Sequence, residues 1–178
     1  PQGTLFGDAA QCGTLRIITN KPDTTSNDGW IDLSTWSMAD GEPGYDISGM
    51  VNIPLAEDRA ALRLVGFYAD EGGWVDNVRA LTPGQTSNNY NTADDDVNSS
   101  EWYGGRASLR VLLSDNWTLD LGGVLQHYEL DGFGDASLNI QQFADTTVFP
   151  HFGAREQARY TKDYWEDDWY QVALTIEG

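Results

Sequence analysis

The stretch Glu101-Trp-Tyr-Gly-Gly-Arg-Ala-Ser-Leu-Arg-Val-Leu-Leu113 shows the clearest period-two alternation in the chain. From position 103 onward the odd positions carry Tyr, Gly, Ala, Leu, Val and Leu, and the even positions include Arg106, Ser108 and Arg110. Successive side chains of a strand point to opposite faces of its sheet. The stretch therefore predicts a strand with one apolar face, and a tight turn at residues 114–116 joins it to a similar strand at residues 117–130.

Four further stretches alternate in the same way and predict the rest of an antiparallel sheet. They are residues 30–37, 45–54, 59–70 and 169–177. No window reaches the roughly eighteen apolar residues of a transmembrane helix. The sequence thus predicts an all-β fold of about six strands.

The connections between these strands are sorted by length. Short turns are predicted at residues 54–58 and 114–116, and long polar loops at residues 71–100 and 131–165, the latter with a helical turn around 136–144. Bacterial membrane barrels have short turns on one side and long loops on the other. The short connection near residues 40–44 is the exception to this pattern.

Composition limits the possible functions. The chain has 10 Lys+Arg against 28 Asp+Glu, a net charge of −18, which argues against nucleic-acid binding because phosphates need a basic surface. The single cysteine, Cys12, excludes an internal disulfide framework and a multi-cysteine metal site. Seven Trp and eight Tyr fit the aromatic girdles of a membrane barrel, and they also fit a carbohydrate-binding β domain.

The N-terminal stretch combines glycines with a β-branched run. Gly3, Gly7 and Gly13 precede Leu15-Arg-Ile-Ile-Thr19, and Pro22 follows. Glycines allow tight turns, β-branched residues favour a strand, and proline cannot donate to a ladder. The stretch predicts a bent loop followed by one short buried strand, which ends before Pro22.

The same residues carry a family resemblance. Pro1-Gln-Gly-Thr-Leu-Phe-Gly7 and Gly13-Thr-Leu-Arg-Ile-Ile-Thr-Asn-Lys-Pro22 resemble the end of the plug domain of TonB-dependent outer-membrane receptors. Asn52-Ile-Pro-Leu55 and Leu62-Arg-Leu-Val-Gly-Phe-Tyr68 resemble the segments that open the barrel of that family. The chain departs from the family pattern at Cys12, in place of a glycine, and at Leu15-Arg16, in place of Ile-Asn.

The resemblance implies a fold and a function. Residues 1–23 would be the end of a plug domain, and residues 24–178 the first part of an antiparallel transmembrane β-barrel in the outer membrane of a Gram-negative bacterium. Such receptors take up a scarce solute, such as a ferric siderophore, cobalamin or an oligosaccharide, with energy from the inner-membrane TonB complex. That complex contacts a segment that precedes the plug. The start at Pro1 without Met or signal peptide, and the end inside a predicted strand, also lead us to expect a fragment.

No motif predicts catalysis, a cofactor or a metal site. The chain has no GxSxG, HExxH, Walker or dinucleotide-binding sequence, so we expect no enzyme. The carboxylate runs at residues 94–96 and 166–168 offer oxygen ligands for a cation such as Ca²⁺, but we interpret them as solvated loop charge. His127 is expected on the outward face as an interfacial residue, His151 has no second histidine at ligand spacing, and Cys12 is expected to be a small plug residue.

Ligand contacts in the family come from the plug apex and the outer loops. In this chain that implies the region near residues 3–12 and the two long loops, without assigning a binding residue. Aromatic side chains available in the loops are Trp74, Tyr90, Phe149, Phe152, Tyr160 and Trp165. The acidity of the loops disfavours an anionic ligand.

A soluble, secreted β-sandwich is the alternative interpretation. Such a domain would bind carbohydrate through exposed Trp and Tyr. It would bury the outward faces of its strands against a second sheet, whereas a barrel would expose them to lipid.

Overall fold

The computed structural model describes residues 17–81, 87–135 and 152–178. These residues form eight strands and no helix. The strands are β1 (Asp28–Ser37), β2 (Pro43–Ala56), β3 (Ala60–Glu71), β4 (Asp76–Asn77), β5 (Ser99–Leu112), β6 (Thr118–Asp131), β7 (Glu156–Gln157) and β8 (Trp165–Glu177). Within the described ranges, no helix is long and apolar enough to cross a membrane.

Six strands form one antiparallel sheet in the order β1-β2-β3-β5-β6-β8. The all-β antiparallel prediction is confirmed, and each of the six predicted strands is present with bounds that differ by at most four residues. The sheet is open, because β1 and β8 pair only on one side each.

The largest shift is at the start of β8, which begins at Trp165 and not at Trp169. Its first residues include Glu166, Asp167 and Asp168. These three consecutive charged residues interrupt the apolar–polar alternation of the sequence, but the backbone pairing with β6 continues to Trp165. The interpretation of residues 166–168 as loop charge is therefore wrong. Backbone pairing extends the strand where side-chain hydrophobicity does not signal it.

The sequence analysis missed β4 and β7, which pair in parallel. Each has two residues, too few to show a periodicity. The expected helical turn at residues 136–144 lies outside the described residues.

The strand register places the apolar sets of all six strands on one face. We call it the apolar face; it contains Ile31, Leu33, Ile47, Val51, Ile53, Leu62, Leu64, Ala107, Leu109, Val111, Leu119, Leu121, Leu125, Tyr170, Val172, Leu174 and Ile176. Many of these side chains are open to the surroundings, with Ile31 77% and Val172 75% exposed. The apolar faces that were predicted separately for each strand therefore form one continuous surface.

The opposite, polar face holds the buried residues of the sheet. Met50, Asn52, Ala61, Ala69, Ser100 and Ser108 lie there by register. Arg63, Arg106, Arg110 and Asp120 also lie on this face, and Arg110 forms a bidentate pair with Asp120 at 2.8 and 3.0 Å. The prediction that the arginines of β5 point away from the apolar side is confirmed.

Residues 17–23 lie across the polar face. Lys21 Nζ is 2.9 Å from Asp120 Oδ2 and 3.6 Å from Glu177 Oε2, and an Arg106 guanidinium NH donates to the Asn20 carbonyl at 3.4 Å. Asn52, which is fully buried, accepts a bond from the Asp23 amide at 3.0 Å and donates to the carbonyls of Asp23 and Ser26 at 2.9 and 2.7 Å.

The predicted buried strand at residues 15–19 is wrong for its described part. Residues 17–20 form no strand, and Ile17 and Ile18 are 80% and 75% exposed. A β-branched run forms a strand only where a neighbouring edge accepts its backbone hydrogen bonds. This segment crosses the face of the sheet and meets side chains, not a free edge. Residues 1–16, including Cys12, lie outside the described residues.

Candidate ligand-binding cleft

The long connections meet at one end of the sheet. Residues 72–98 link β3 to β5 and residues 132–164 link β6 to β8, whereas short turns at 57–59 and 113–117 lie at the opposite end. The sorting of connections by length, predicted from the sequence, is confirmed. The short connection at residues 38–42 contacts both long connections. The Glu42 amide donates to the Gly73 carbonyl at 2.9 Å, and the Arg155 guanidinium donates to the Ala39 carbonyl and to the Asp40 carboxylate.

Asparagine side chains hold these connections together. The Asn77 amide group donates to the carbonyls of Thr92 and Arg159 at 2.6 and 3.1 Å, and its oxygen accepts the Arg159 amide at 2.6 Å. It therefore joins parts of the chain that are 82 residues apart. Asn89 bridges the Ala80 amide and the Val78 carbonyl in the same way. A short amide side chain provides both a donor and acceptors, and so replaces a missing ladder partner.

Asn98 and two glycines complete the framework. The Asn98 oxygen accepts the amides of Trp74 and Val75 at 2.7 and 2.8 Å. A Cβ at Gly73 would collide with the Asp96 carbonyl, and one at Gly132 (φ +95°) with the Val97 carbonyl. Backbone segments approach so closely at these two points that only glycine fits.

A polar cleft of about 250 Å³ lies between the two long connections. Its lining comes mainly from residues 92–97 and 157–163, with Glu42 and Asn77 from neighbouring segments and Asp131 and Gly132 at the end of β6. Of the residues in the described ranges, six carboxylates and two cationic side chains line it: Glu42, Asp94, Asp95, Asp96, Asp131 and Asp163, with Arg159 and Lys162. The cleft is therefore electronegative.

One of the two cationic side chains of the cleft already forms ion pairs with carboxylates. Arg159 is 2.5 Å from Asp135 and 3.4 Å from Asp163, so its charge is already neutralised. Partial burial, together with the nearby charges of Asp76 and Asp95, raises the pKa of Asp96. Hydroxyl and amide groups of Thr92, Thr161, Asn77 and Gln157 also line the cleft. Such a site suits a polyhydroxylated or cationic solute and repels an anion.

The structure places only part of the predicted set in this cleft. Residues 94–96 line it, as the loop interpretation implies. Tyr90 is half-exposed and lies under the Arg79 guanidinium, 5.7 Å from the ring centroid. Trp165 belongs to β8 and not to a loop, which corrects its assignment. Trp74, Phe152 and Tyr160 lie in the connections but not in the lining. His151 and Phe149 lie outside the described residues.

His127 lies on the apolar side of β6, at the end that faces the long connections. Its ring contacts Tyr103 at a centroid distance of 4.9 Å and continues a row with Tyr68 and Tyr45, spaced by 6.4 and 5.9 Å. We call these four residues the aromatic row. His127 therefore shares the face of the apolar residues of β6, as the alternation predicts; that this face is the outward face of a barrel stays a prediction.

Sequence reasoning missed the residues that shape the cleft. Asn77, Gln157, Arg159 and Lys162 come from irregular segments without periodicity. The repeated asparagines at positions 77, 88, 89, 91 and 98 are the one available signal, because asparagine favours backbone-bonding roles outside regular structure.

Comparison of the chain with known protein families, with curated proteins and with solved structures found no match.

Proposed function

We propose that this chain forms the first part of the transmembrane barrel of a TonB-dependent outer-membrane receptor, which takes up a scarce solute from outside the cell. The proposal includes the end of the plug in residues 1–23, the outer membrane as location and the TonB complex as the energy-supplying partner. The proposal is supported by the motif resemblance at residues 1–22 and by three properties of the folded chain.

The apolar face carries the proposal. Between the aromatic row and the opposite end of the sheet, no position on this face of the six described strands is charged. From Tyr103 to Val111 this zone extends about 27 Å along the strand, comparable with the apolar band of about 25 Å of a membrane barrel, whose strands are tilted. Water would oppose so large an exposed apolar surface, and lipid would cover it.

The boundary of this zone also fits a membrane interface. Tyr68 and Tyr103 mark its edge. The next register row contains Tyr45 together with the carboxylates Asp70, Glu101, Glu129 and Glu166, which we call the acidic rim. Amphipathic aromatic residues concentrate at the boundary between hydrocarbon and head groups. The change from apolar to aromatic to charged follows the expected change from hydrocarbon to water.

The polar face fits the lumen of a barrel that contains a plug. It carries arginines and carboxylates, and residues 17–23 lie across it in contact with Asn52, Arg106 and Asp120. The cleft between the long connections is then the outward-facing candidate for solute capture. Its negative charge favours a neutral polyhydroxylated or a cationic solute over an anionic siderophore.

A soluble β-sandwich is disfavoured by the same observation. A sandwich buries one face of each sheet against a second sheet. Within the part of the chain that the structure describes, the second sheet has only β4 and β7, and on the apolar face Tyr170 is 82% and Leu174 61% exposed.

A matched pair of lysine substitutions in β8 tests the membrane assignment. Leu174 lies on the apolar face, and Thr175 lies on the polar face opposite Asp120. Lysine facing hydrocarbon near the bilayer centre costs about 2–4 kcal/mol, and in the lumen much less. The chain, expressed with an export signal in a Gram-negative host within the full-length receptor, should lose its heat-modifiable folded band with L174K and keep it with T175K.

A soluble domain would give a different result. Both positions are exposed to solvent in that case, so both variants would fold equally, and the unmodified protein would stay in solution without detergent. That outcome would overturn the membrane assignment.

The transport assignment needs a separate measurement. Accumulation of radiolabelled solutes from a panel of ferric siderophores, cobalamin and oligosaccharides is compared in hosts with and without TonB. TonB-dependent accumulation of one solute supports the proposal, and accumulation that is equal in both hosts contradicts it.

A further inference from the structure

A second group of chemically competent side chains lies at the edge of the apolar face, away from the cleft. His127 of β6 is directly opposite Asp168 of β8, and Glu129 is opposite Glu166 in the next register row. One ligand atom from each of His127, Glu166 and Asp168 can be chosen so that all three lie within 4.8 Å of one another. The antiparallel register brings together residues that are 41 positions apart.

The position of the imidazole is fixed from two sides. Its Nδ1 is 2.8 Å from Asp168 Oδ1, and its ring lies against Tyr103 at a centroid distance of 4.9 Å, tilted by 31°. The His127 side chain is 17% exposed, whereas that of Asp168 is 78% exposed and free to adjust. A nitrogen ligand held in place beside an exposed carboxylate is accessible to an incoming ion.

The group has an excess of negative charge. Among the described residues, no Lys or Arg forms an ion pair with Glu166 or Asp168. Glu129 adds another carboxylate on the same face. A divalent cation would neutralise this excess, and an imidazole nitrogen with carboxylate oxygens is a ligand set that Zn²⁺ accepts in preference to Ca²⁺ or Mg²⁺.

We propose that His127, Glu166 and Asp168 bind a divalent transition-metal ion of the Zn²⁺ type, which links β6 to β8. The ion replaces the hydrogen bond between Nδ1 and Oδ1, and these two atoms, now 2.8 Å apart, separate by a few tenths of an ångström to accept bonds of about 2.0–2.2 Å to the ion. Glu166 supplies the third protein ligand. Water or Glu129 completes the coordination. Because its ligands come from both β6 and β8, the ion links these two strands in addition to their backbone pairing. The inference does not depend on the proposed transport function.

Metal titration of the purified full-length protein that contains this chain, folded in detergent micelles, tests this site. Zn²⁺ alone should bind with one-to-one stoichiometry and raise the melting temperature of the sheet, since a ligand that binds only the folded state stabilises it. H127Q, which keeps the side-chain size, should weaken Zn²⁺ binding by about tenfold or more. E166Q should weaken binding and remove the shift in melting temperature.

Two control variants distinguish this site from general attraction to an acidic protein. D115N removes an exposed carboxylate from the turn between β5 and β6, and H151Q removes the other histidine of the chain. Both should bind Zn²⁺ as the unmodified chain does. The circular dichroism of each apo variant establishes that its sheet is intact.

Two results would overturn the inference. One is Zn²⁺ affinity that is unchanged in H127Q with an intact sheet. The other is Ca²⁺ binding as tightly as Zn²⁺, because that would show attraction to charge without participation of the imidazole.

Discussion

Four asparagine side chains bond the backbone of segments that lie outside the six-stranded sheet. Asn52, Asn77, Asn89 and Asn98 each bond two or more backbone groups of another segment. Asn52 is the clearest case, because it is fully buried and makes three such bonds. A buried backbone group without a partner is costly, so each asparagine fixes its segment.

Removal of the Asn52 amide should release the segment before β1. N52A leaves the Asp23 amide and the carbonyls of Asp23 and Ser26 without their partner, at a cost of about 1–3 kcal/mol for a buried polar group. Hydrogen exchange at the Asp23 amide should accelerate accordingly. S48A, on the same strand and face, is the control and should leave that exchange rate unchanged. Equal rates in N52A and the unmodified chain would contradict the assigned role.

Asp23 gives the turn before β1 a defined pH dependence. Hydrogen bonds from the Thr25 hydroxyl, the Thr25 amide and the Ser26 hydroxyl lower the pKa of Asp23 from 3.8 to about 2. A lowered pKa in the folded state means that the stabilisation is complete above the unfolded value and is lost as pH falls from about 4 towards 2.

The carboxyl ¹³C shift of Asp23, followed by NMR during acid titration, measures this effect. T25V removes the largest cause and should raise the pKa of Asp23 towards 3.8. T24V is the control, because no hydrogen bond joins the Thr24 side chain to Asp23 in the described contacts. An unchanged midpoint in T25V would contradict the assigned cause.

At the scale of elements, residues 17–23 have attachments of different character, among them a long hydrogen bond of 3.4 Å from Arg106 to the Asn20 carbonyl. Asn52 holds Asp23 through neutral, buried bonds, whereas Lys21 reaches Asp120 and Glu177 through half-exposed ion pairs. Exposed ion pairs contribute about 0–1 kcal/mol and are screened by salt. The ion pairs of Lys21 should therefore break before the hydrogen bonds of Asn52, so that Asp23 stays in place.

K21M tests this order of release. Spin labels at Thr19 and Gln171, which is on the polar face of β8, should show a broader distance distribution in K21M or at high salt. The Asp23 amide should keep its slow exchange in both conditions. K162M removes a lysine of the cleft and should change neither quantity. A distribution that stays narrow in K21M would show that the ion pairs do not hold the segment.

The six long strands show how far element prediction extends. Period-two alternation located every one of them, including the faces of β5 and β6, because packing and solvation act on each face separately. The acidic residues at the start of β8 were missed, because only the cross-strand pairing with β6 shows that the strand extends there. β4 and β7 were missed because tertiary contacts, through Asn77 and Arg159, create them.

At the scale of the molecule, the connections define two ends. The long connections and the cleft lie at one end, and the turns at 57–59 and 113–117 lie at the other. If the proposed barrel is correct, the first end faces the outside of the cell and the second the periplasm.

Cysteine labelling on intact cells tests this orientation. In a C12S background, a cysteine in place of Asn91, in the connection between β3 and β5, should react with a membrane-impermeant maleimide. A cysteine in place of Asp115, in the turn between β5 and β6, should react only after the outer membrane is permeabilised. The reverse pattern would invert the orientation, and labelling of both on intact cells would contradict a membrane-spanning sheet.

The sequence by itself determined the all-β class, six of the eight strands, the two faces of the sheet and the sorting of the connections by length. These properties are local, because alternation and turn residues act within about ten positions of the chain. The tertiary structure alone decided that residues 17–23 lie across a face and not in a strand, that two distant connections enclose an acidic cleft, and that His127 meets Asp168. Each of these depends on register or on a single buried amide between segments far apart in the chain, and such contacts leave no periodic trace in the sequence.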